Sequence, residues 1–287
     1  MYRDFFGFDD KPFGKTPDPA FFFPSRIHEE ALARLQYGAE ERELVLLTGE
    51  IGSGKTLLTR ALIDQLGDSY RCILLINPRL TPNQFLRILA SRLGIKGGTI
   101  LRVELVDRIN EALFSFFEKG ICPVVIIDEA QLIPTKATFD EIRLLTNFQL
   151  DDVNLLSLIL VGQPELKRRL RQPAFEALRQ RIGIQFHLGA LGREDTGKYI
   201  ASRLDQVGGD THLFDEEALD VIYGYSGGLP RLINNISSNA LLAAFSKELL
   251  SIGPDIVLDV IEELDLEPRM QADASACQAG GNAQGQP

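Results

Sequence analysis

Cysteine is scarce in this chain of 287 residues, with only Cys72, Cys122 and Cys277. They are too widely spaced for a metal knuckle and odd in number, so neither a zinc site nor a disulfide framework is expected, and a reducing compartment suits them. His28, His187 and His212 share no ligand spacing and read as structural or surface residues. Long apolar runs are missing too: stretches such as LLSLILVG at 155–162 fall far short of the roughly 20 residues that span a bilayer. The start, MYRDFFGFDDKPFGKTPDP, lacks the basic opening, apolar run and small-residue cleavage site of an export leader, so a cytoplasmic chain is expected. Basic charge is not in excess either. With 30 Lys and Arg against 40 Asp and Glu the net charge is -10, which repels polyanions at long range and gives little support to sequence-independent nucleic-acid binding. No internal repeat is visible.

What is present describes a globular protein. A hydrophobic fraction of 45% and a charged fraction of 24% allow a sizeable core, and the length points to one large domain with a smaller one attached. Residues 1–27, rich in Phe, Pro and Asp, read as an irregular arm that packs on a domain. Short apolar runs follow at 43–49, 71–77, 124–130 and 156–162, and helical spacing lies between them. Strands alternating with helices predict an α/β core over 28–191, with a parallel sheet covered on both faces. After IQFHLGAL at 184–191 the strand signals stop. Helical patterns, one with Asp215 as N-cap, predict an all-α unit over 192–265, and the Ala, Gly and Gln-rich residues 266–287 read as a disordered tail.

GEIGSGKT at 49–56 fits the phosphate-loop pattern G-x-x-x-x-G-K-[ST] and lies between an apolar strand and a helix, as it must. Gly49, Glu50, Ile51, Gly52, Ser53, Gly54, Lys55, Thr56 and Leu57 form the candidate nucleotide-binding set. The glycines let backbone amides turn inward around a polyphosphate, and the following helix offers its positive end. Lys55 would reach the terminal phosphates and Thr56 would hold Mg2+. VVIIDEA at 124–130 brings Asp128 and Glu129 to a strand's carboxyl end, where open parallel sheets bind ligands. Asp128 fits a carboxylate that orients Mg2+, and Glu129 fits a base for attacking water. A kinase has no need to activate water, so the pair favours ATP hydrolysis over phosphoryl transfer. The bland alternatives are a glycine-rich turn and two helix-capping carboxylates. Gln163, ending LILVGQ, either senses the γ-phosphate or holds water, or satisfies loop backbone.

The start MYRDFFGFDDKPFGKTPDPAFFFPSRIHEEAL, together with GEIGSGKT, VVIIDEAQ, LILVGQPEL, LRQRIGIQFHL and SGGLPRLIN, resembles the AAA+ ATPases of the general secretion pathway A (ExeA) type, whose relatives include pilus and exosortase-associated ATPases. The resemblance covers about residues 1–265. It implies a P-loop NTPase core of three layers with strand order 5-1-4-3-2, a helical lid, and ATP held between them. It implies sensor places for Gln163 and for Arg231 in GGLPR, which otherwise reads as a solvated charge at a helix start. It also implies that the arm at 2–13 and the segment around His28 flank the adenine, and that the chain drives or regulates assembly of a cell-envelope machine at the cytoplasmic face, through an inner-membrane assembly protein.

Two basic stretches remain. LRQRIGIQF at 178–186 sets Arg179 and Arg181 before a strand. In a homo-oligomeric ring or filament that edge faces a neighbour's ATP, and Arg181, with Arg179 as alternate, is the candidate catalytic finger acting in trans. KRRLRQ at 167–172 keeps open a second reading, a DNA-associated ATPase of the transposition-regulator type, although a charge run is usually a solvated face. A third reading is a nucleotide switch without useful turnover.

Overall fold

Five short strands carry the core, and the burial of each follows from its place in the sheet. In the computed structural model of the protein, which describes residues 1–14, 21–96 and 101–269, β1 (Leu44–Gly49), β2 (Tyr70–Leu75), β3 (Cys122–Ile127), β4 (Ser157–Gly162) and β5 (Ile182–Leu188) form one all-parallel sheet. The order is β2-β3-β4-β1-β5, which read from the other edge is the expected 5-1-4-3-2. The inner strands β1, β3 and β4 are buried at every residue, so LVLLTG, CPVVII and SLILVG run apolar without alternation. The edge strand β5 alternates half-buried and exposed residues up to Leu188.

In chain order, α1 (Tyr2–Phe6) and α2 (Arg26–Glu40) precede β1, and α3 (Lys55–Gln65) joins β1 to β2. α4 (Pro82–Arg92) and α5 (Arg102–Glu118) precede β3, and α6 (Lys136–Leu145) precedes β4. α7 (Pro164–Leu170) and α8 (Glu176–Arg179) lead into β5, and α9 (Arg193–Asp205), α10 (Glu216–Ser226), α11 (Pro230–Ser246) and α12 (Pro254–Glu263) follow it. Local chemistry sets several of these ends. Thr81 and Gln84 close a capping box at α4, whose Phe85, Leu86, Leu89 and Ala90 are buried. Asp215 caps α10 as its sequence predicts, its Oδ1 accepting from the Ala218 N–H at 2.7 Å, and Gly227 ends that helix at φ 57°.

The chain divides into two units, one of Arg26–Ile51 with Lys55–Leu188, the other of Met1–Ser25, Gly52–Gly54 and Gly189–Pro287. The first is the α/β core, its main apolar cluster gathering β1, β3 and β4 with α4, α5 and α6. The second is built on α9 to α12, and the N-terminal arm belongs to it: Phe8 and Phe13 are buried in the same cluster as Ile200, Phe214 and Ile236. Arg203, 6% exposed, fastens the arm. Its Nε donates to the Pro12 carbonyl at 2.6 Å, and its guanidinium lies 4.1 Å from the Phe21 ring centroid. Residues 270–287, most of the expected tail, lie outside the described residues, as do 15–20, which hold TPDP. Among the described residues no helix is long and apolar enough to cross a membrane.

Candidate functional site

The carboxyl edge of the sheet collects the chemistry expected from the sequence. Beyond β1 the chain turns through Gly52 and Gly54 at φ 84° and 100°, backbone that glycine adopts at no steric cost. α3 begins at Lys55, so its first amides have no partner within the helix and point toward the loop. Lys55 is buried, and its ammonium donates to the carbonyls of Gly49 at 2.7 Å and Glu50 at 2.8 Å. Ile51 is exposed, Ser53 is buried, and Thr56 and Leu57 are half-buried.

Asp128 leaves the end of β3 and is 4% exposed. Its Oδ2 accepts from the Thr56 hydroxyl at 3.0 Å and its Oδ1 from the Glu129 N–H at 2.8 Å. Burial pushes its carboxyl above the ordinary value, with these two bonds pulling the other way. A hydroxyl and a buried carboxylate in contact form a hard-oxygen pair suited to magnesium, and the ammonium and helix amides beside them suit a polyphosphate. The residues present therefore fit a magnesium nucleotide.

Glu129 has left-handed backbone at φ 53° and ψ 39°, a conformation that costs a residue with a side chain roughly 1–2 kcal/mol. Such strain persists where neighbours hold it. Here two amides do so: Gln131 Nε2 and Gln163 Nε2 both donate to Glu129 Oε2, the latter at 3.2 Å. Gln163 stands at the N-cap of α7, immediately past β4, and its N–H donates to Gln131 Oε1 at 3.1 Å. The structure thus brings Glu129 and Gln163 together and adds Gln131. Sequence reasoning did not single out Gln131, although it lies two residues after Glu129 in the same motif.

Two of the candidate arginines lie elsewhere. The register pairs Leu44 with Ile182 and Gly49 with Leu188, which puts Arg181 at the entry end of β5 and the loop at the exit end of β1. A strand of this length separates them by roughly 20 Å, beyond an arginine's reach. Arg181 is exposed, donates to Asn147 Oδ1 at 3.1 Å, and borders a cleft with Arg42, Glu43 and Gln180. The exposed Arg179 donates to the Arg171 carbonyl at 3.4 Å. Arg231, exposed in the first turn of α11, is beside the loop instead: its N–H donates to the Gly52 carbonyl at 3.3 Å, and a Cβ at Gly52 would lie 2.6 Å from the Arg231 Cβ.

The basic run at 167–172 is not a uniformly solvated face. Arg168 pairs with Glu165 at 2.6 Å on the surface, but Arg169 turns inward. Its guanidinium donates to the carbonyls of Gln131 (3.4 Å), Ile133 and Pro134 (3.3 Å), and lies 4.9 Å from the Phe139 ring centroid. The run offers fewer free cations to a polyanion than its sequence implies.

Residues 39–170 match the AAA domain family. Over 250 residues the chain is 39% identical to General secretion pathway protein A of Aeromonas hydrophila, an alignment covering 86% of this chain and 45% of that one. The chain thus spans about half the length of that curated relative. Among solved structures it is similar to the ORC2 protein of Aeropyrum pernix in its ADP form (TM-score 0.64, 17% identity, covering 89% of this chain and 73% of that one). It is also similar to the RuvB Holliday junction branch migration motor of Thermotoga maritima (TM-score 0.56, 21% identity, covering 83% and 68%). At such identities the likeness is one of fold, the parallel-sheet core of P-loop ATPases with attached helices.

Proposed function

Because this chain belongs to the AAA+ ATPases of the general secretion pathway protein A type, we propose that it binds ATP with Mg2+ at residues 49–57 and hydrolyses it. The observation that carries this reading is the 3.0 Å contact between the Thr56 hydroxyl and the buried Asp128 carboxylate, which unites the loop and the second motif in one site. Thr56 and Asp128 would hold Mg2+, which supplies charge neutralisation on the β- and γ-phosphate oxygens when bound. Lys55 exchanges its loop carbonyls for phosphate oxygens, and the α3 amides bind the same anion. Glu129 takes the proton of the attacking water as the bond from the γ-phosphorus to the ADP oxygen breaks. Gln163, already on Glu129, orients that water or meets the γ-phosphate. Arg231 acts as a second sensor.

The protein works as a homo-oligomer, ring or filament, in which Arg181, or Arg179, completes the neighbour's site. The register supports this assignment, since Arg181 stands at the sheet edge opposite its own loop. Hydrolysis drives or regulates assembly of a cell-envelope machine (type II secretion, pilus or polysaccharide and exosortase systems). The chain is held peripherally at the cytoplasmic face by an inner-membrane assembly protein. The likeness to General secretion pathway protein A supports this last step.

The test is ATP turnover by the purified protein with and without Mg2+, set beside Lys55→Ala. Magnesium-dependent turnover that Lys55→Ala abolishes is expected. Turnover indifferent to both would overturn the reading.

A further inference from the structure

Gln131 sits in the short turn Ala130–Leu132 that leaves β3, and both ends of its amide are used. Nε2 donates to Glu129 Oε2, and Oε1 accepts the Gln163 N–H at 3.1 Å. Gln163 Nε2 returns to the same Glu129 oxygen at 3.2 Å, which closes a ring of three residues. We infer that Gln131 is a positioning residue for the attack of water: it fixes the Glu129 carboxylate and ties it to the start of α7, so that a movement of Gln163 is carried to the base. This inference rests on the reading of Glu129 as base.

Three further features converge on the same turn. A Cβ at Gly162 would lie 2.8 Å from Gln131 Oε1 and 2.8 Å from Leu166 Cδ2, so the amide occupies room that a side chain at the end of β4 would take. Arg169 donates to the carbonyls of Gln131, Ile133 and Pro134, which holds the turn from below. The left-handed backbone of Glu129 needs such support, because that conformation is disfavoured for a residue with a Cβ. With Oε2 held by two amides, Oε1 is the carboxylate oxygen left to accept the proton. Holding a base within reach and in line is an orientation effect, and losing it is expected to lower the rate without weakening substrate binding.

The experiment compares Gln131→Met, which keeps the volume and removes both hydrogen bonds, with the parent. Melting temperature and ATP affinity by calorimetry are expected to stay near parental values, while kcat falls about tenfold to a hundredfold with KM little changed. In a Glu129→Gln background the same substitution is expected to change the single-turnover rate by less than about twofold, since groups that act as a unit are not additive. Gly162→Ala, which pushes on the amide, is expected to lower kcat in the same way. If Gln131→Met unfolds, Gln131→Glu keeps the acceptor for the Gln163 N–H, removes the donor to Glu129, and takes its place in the comparison. Parental kcat in these variants, or a loss repeated in full without Glu129, would overturn the inference and leave the base reading intact. Full hydrolysis by Glu129→Gln alone would remove the base reading and this inference with it.

Discussion

The Thr56 hydroxyl and the Asp128 carboxylate, 72 positions apart in the chain, meet at 3.0 Å at the carboxyl edge of the sheet. The contact satisfies the hydroxyl and leaves a desolvated acid in the fold, a cost that a bound cation would offset. Because burial raises the Asp128 carboxyl, the folded protein keeps this proton to a higher pH than the unfolded chain does. Stability from this group is therefore present below the ordinary carboxylate range and is lost as pH rises toward the folded value. Without nucleotide, Asp128→Asn is expected to melt a few degrees above the parent at neutral pH, with the gap closing as pH falls through that window. Magnesium and ATP, which should raise the parental melting temperature, should no longer do so in the variant. Thermal unfolding across pH checks both; a variant that melts lower at neutral pH would count against the desolvation argument.

Arg181→Ala is expected to bind ATP like the parent and to lose hydrolysis by about a thousandfold or more. Mixing it with Lys55→Ala should restore activity, because an intact loop then meets an intact arginine from the neighbour. Failure of the mixture to regain turnover, under conditions where the two forms associate, would remove Arg181 from the reaction.

Arg203 holds the arm to the helical unit through the Pro12 carbonyl and the Phe21 ring. Arg203→Leu leaves that carbonyl without its charged donor and should cost about 2 kcal/mol. Limited proteolysis should then cut within residues 1–14, where Phe8 and Phe13 are buried in the parent. An unchanged cleavage pattern would show that the apolar contacts alone suffice.

The parts of this protein that were legible in its sequence are those set by local pattern. Unbroken apolar runs marked β1, β3 and β4 because strands covered on both faces need no alternation, and GEIGSGKT marked the loop because the turn requires glycine at Gly52 and Gly54. Asp215 was readable as a cap from its position just before the helical spacing of EEALDVIYGYS. What escaped depends on partners distant in the chain. Arg169 reads as one more surface charge until α7 is seen turning it onto Gln131, Ile133 and Pro134. Gln131 has no pattern of its own, and its role comes from Gln163, 32 residues away. The helix α6 carried a usable signal that was passed over: Thr135 as cap, then Phe139, Ile142 and Leu145 buried at spacings of three. The arm's Phe8 and Phe13 were visible as aromatics, but nothing local says that they complete a core built on α9 to α12.

The most direct measurement is single-turnover hydrolysis by Glu129→Gln with ATP binding followed in parallel. Glu129 Oε2 is already oriented by Gln131 and Gln163, so the substitution removes the proton acceptor with little change of shape. Parental ATP affinity with hydrolysis slowed about a hundredfold or more is expected. Hydrolysis at the parental rate would contradict the assignment of Glu129, and with it the chemistry proposed for this site.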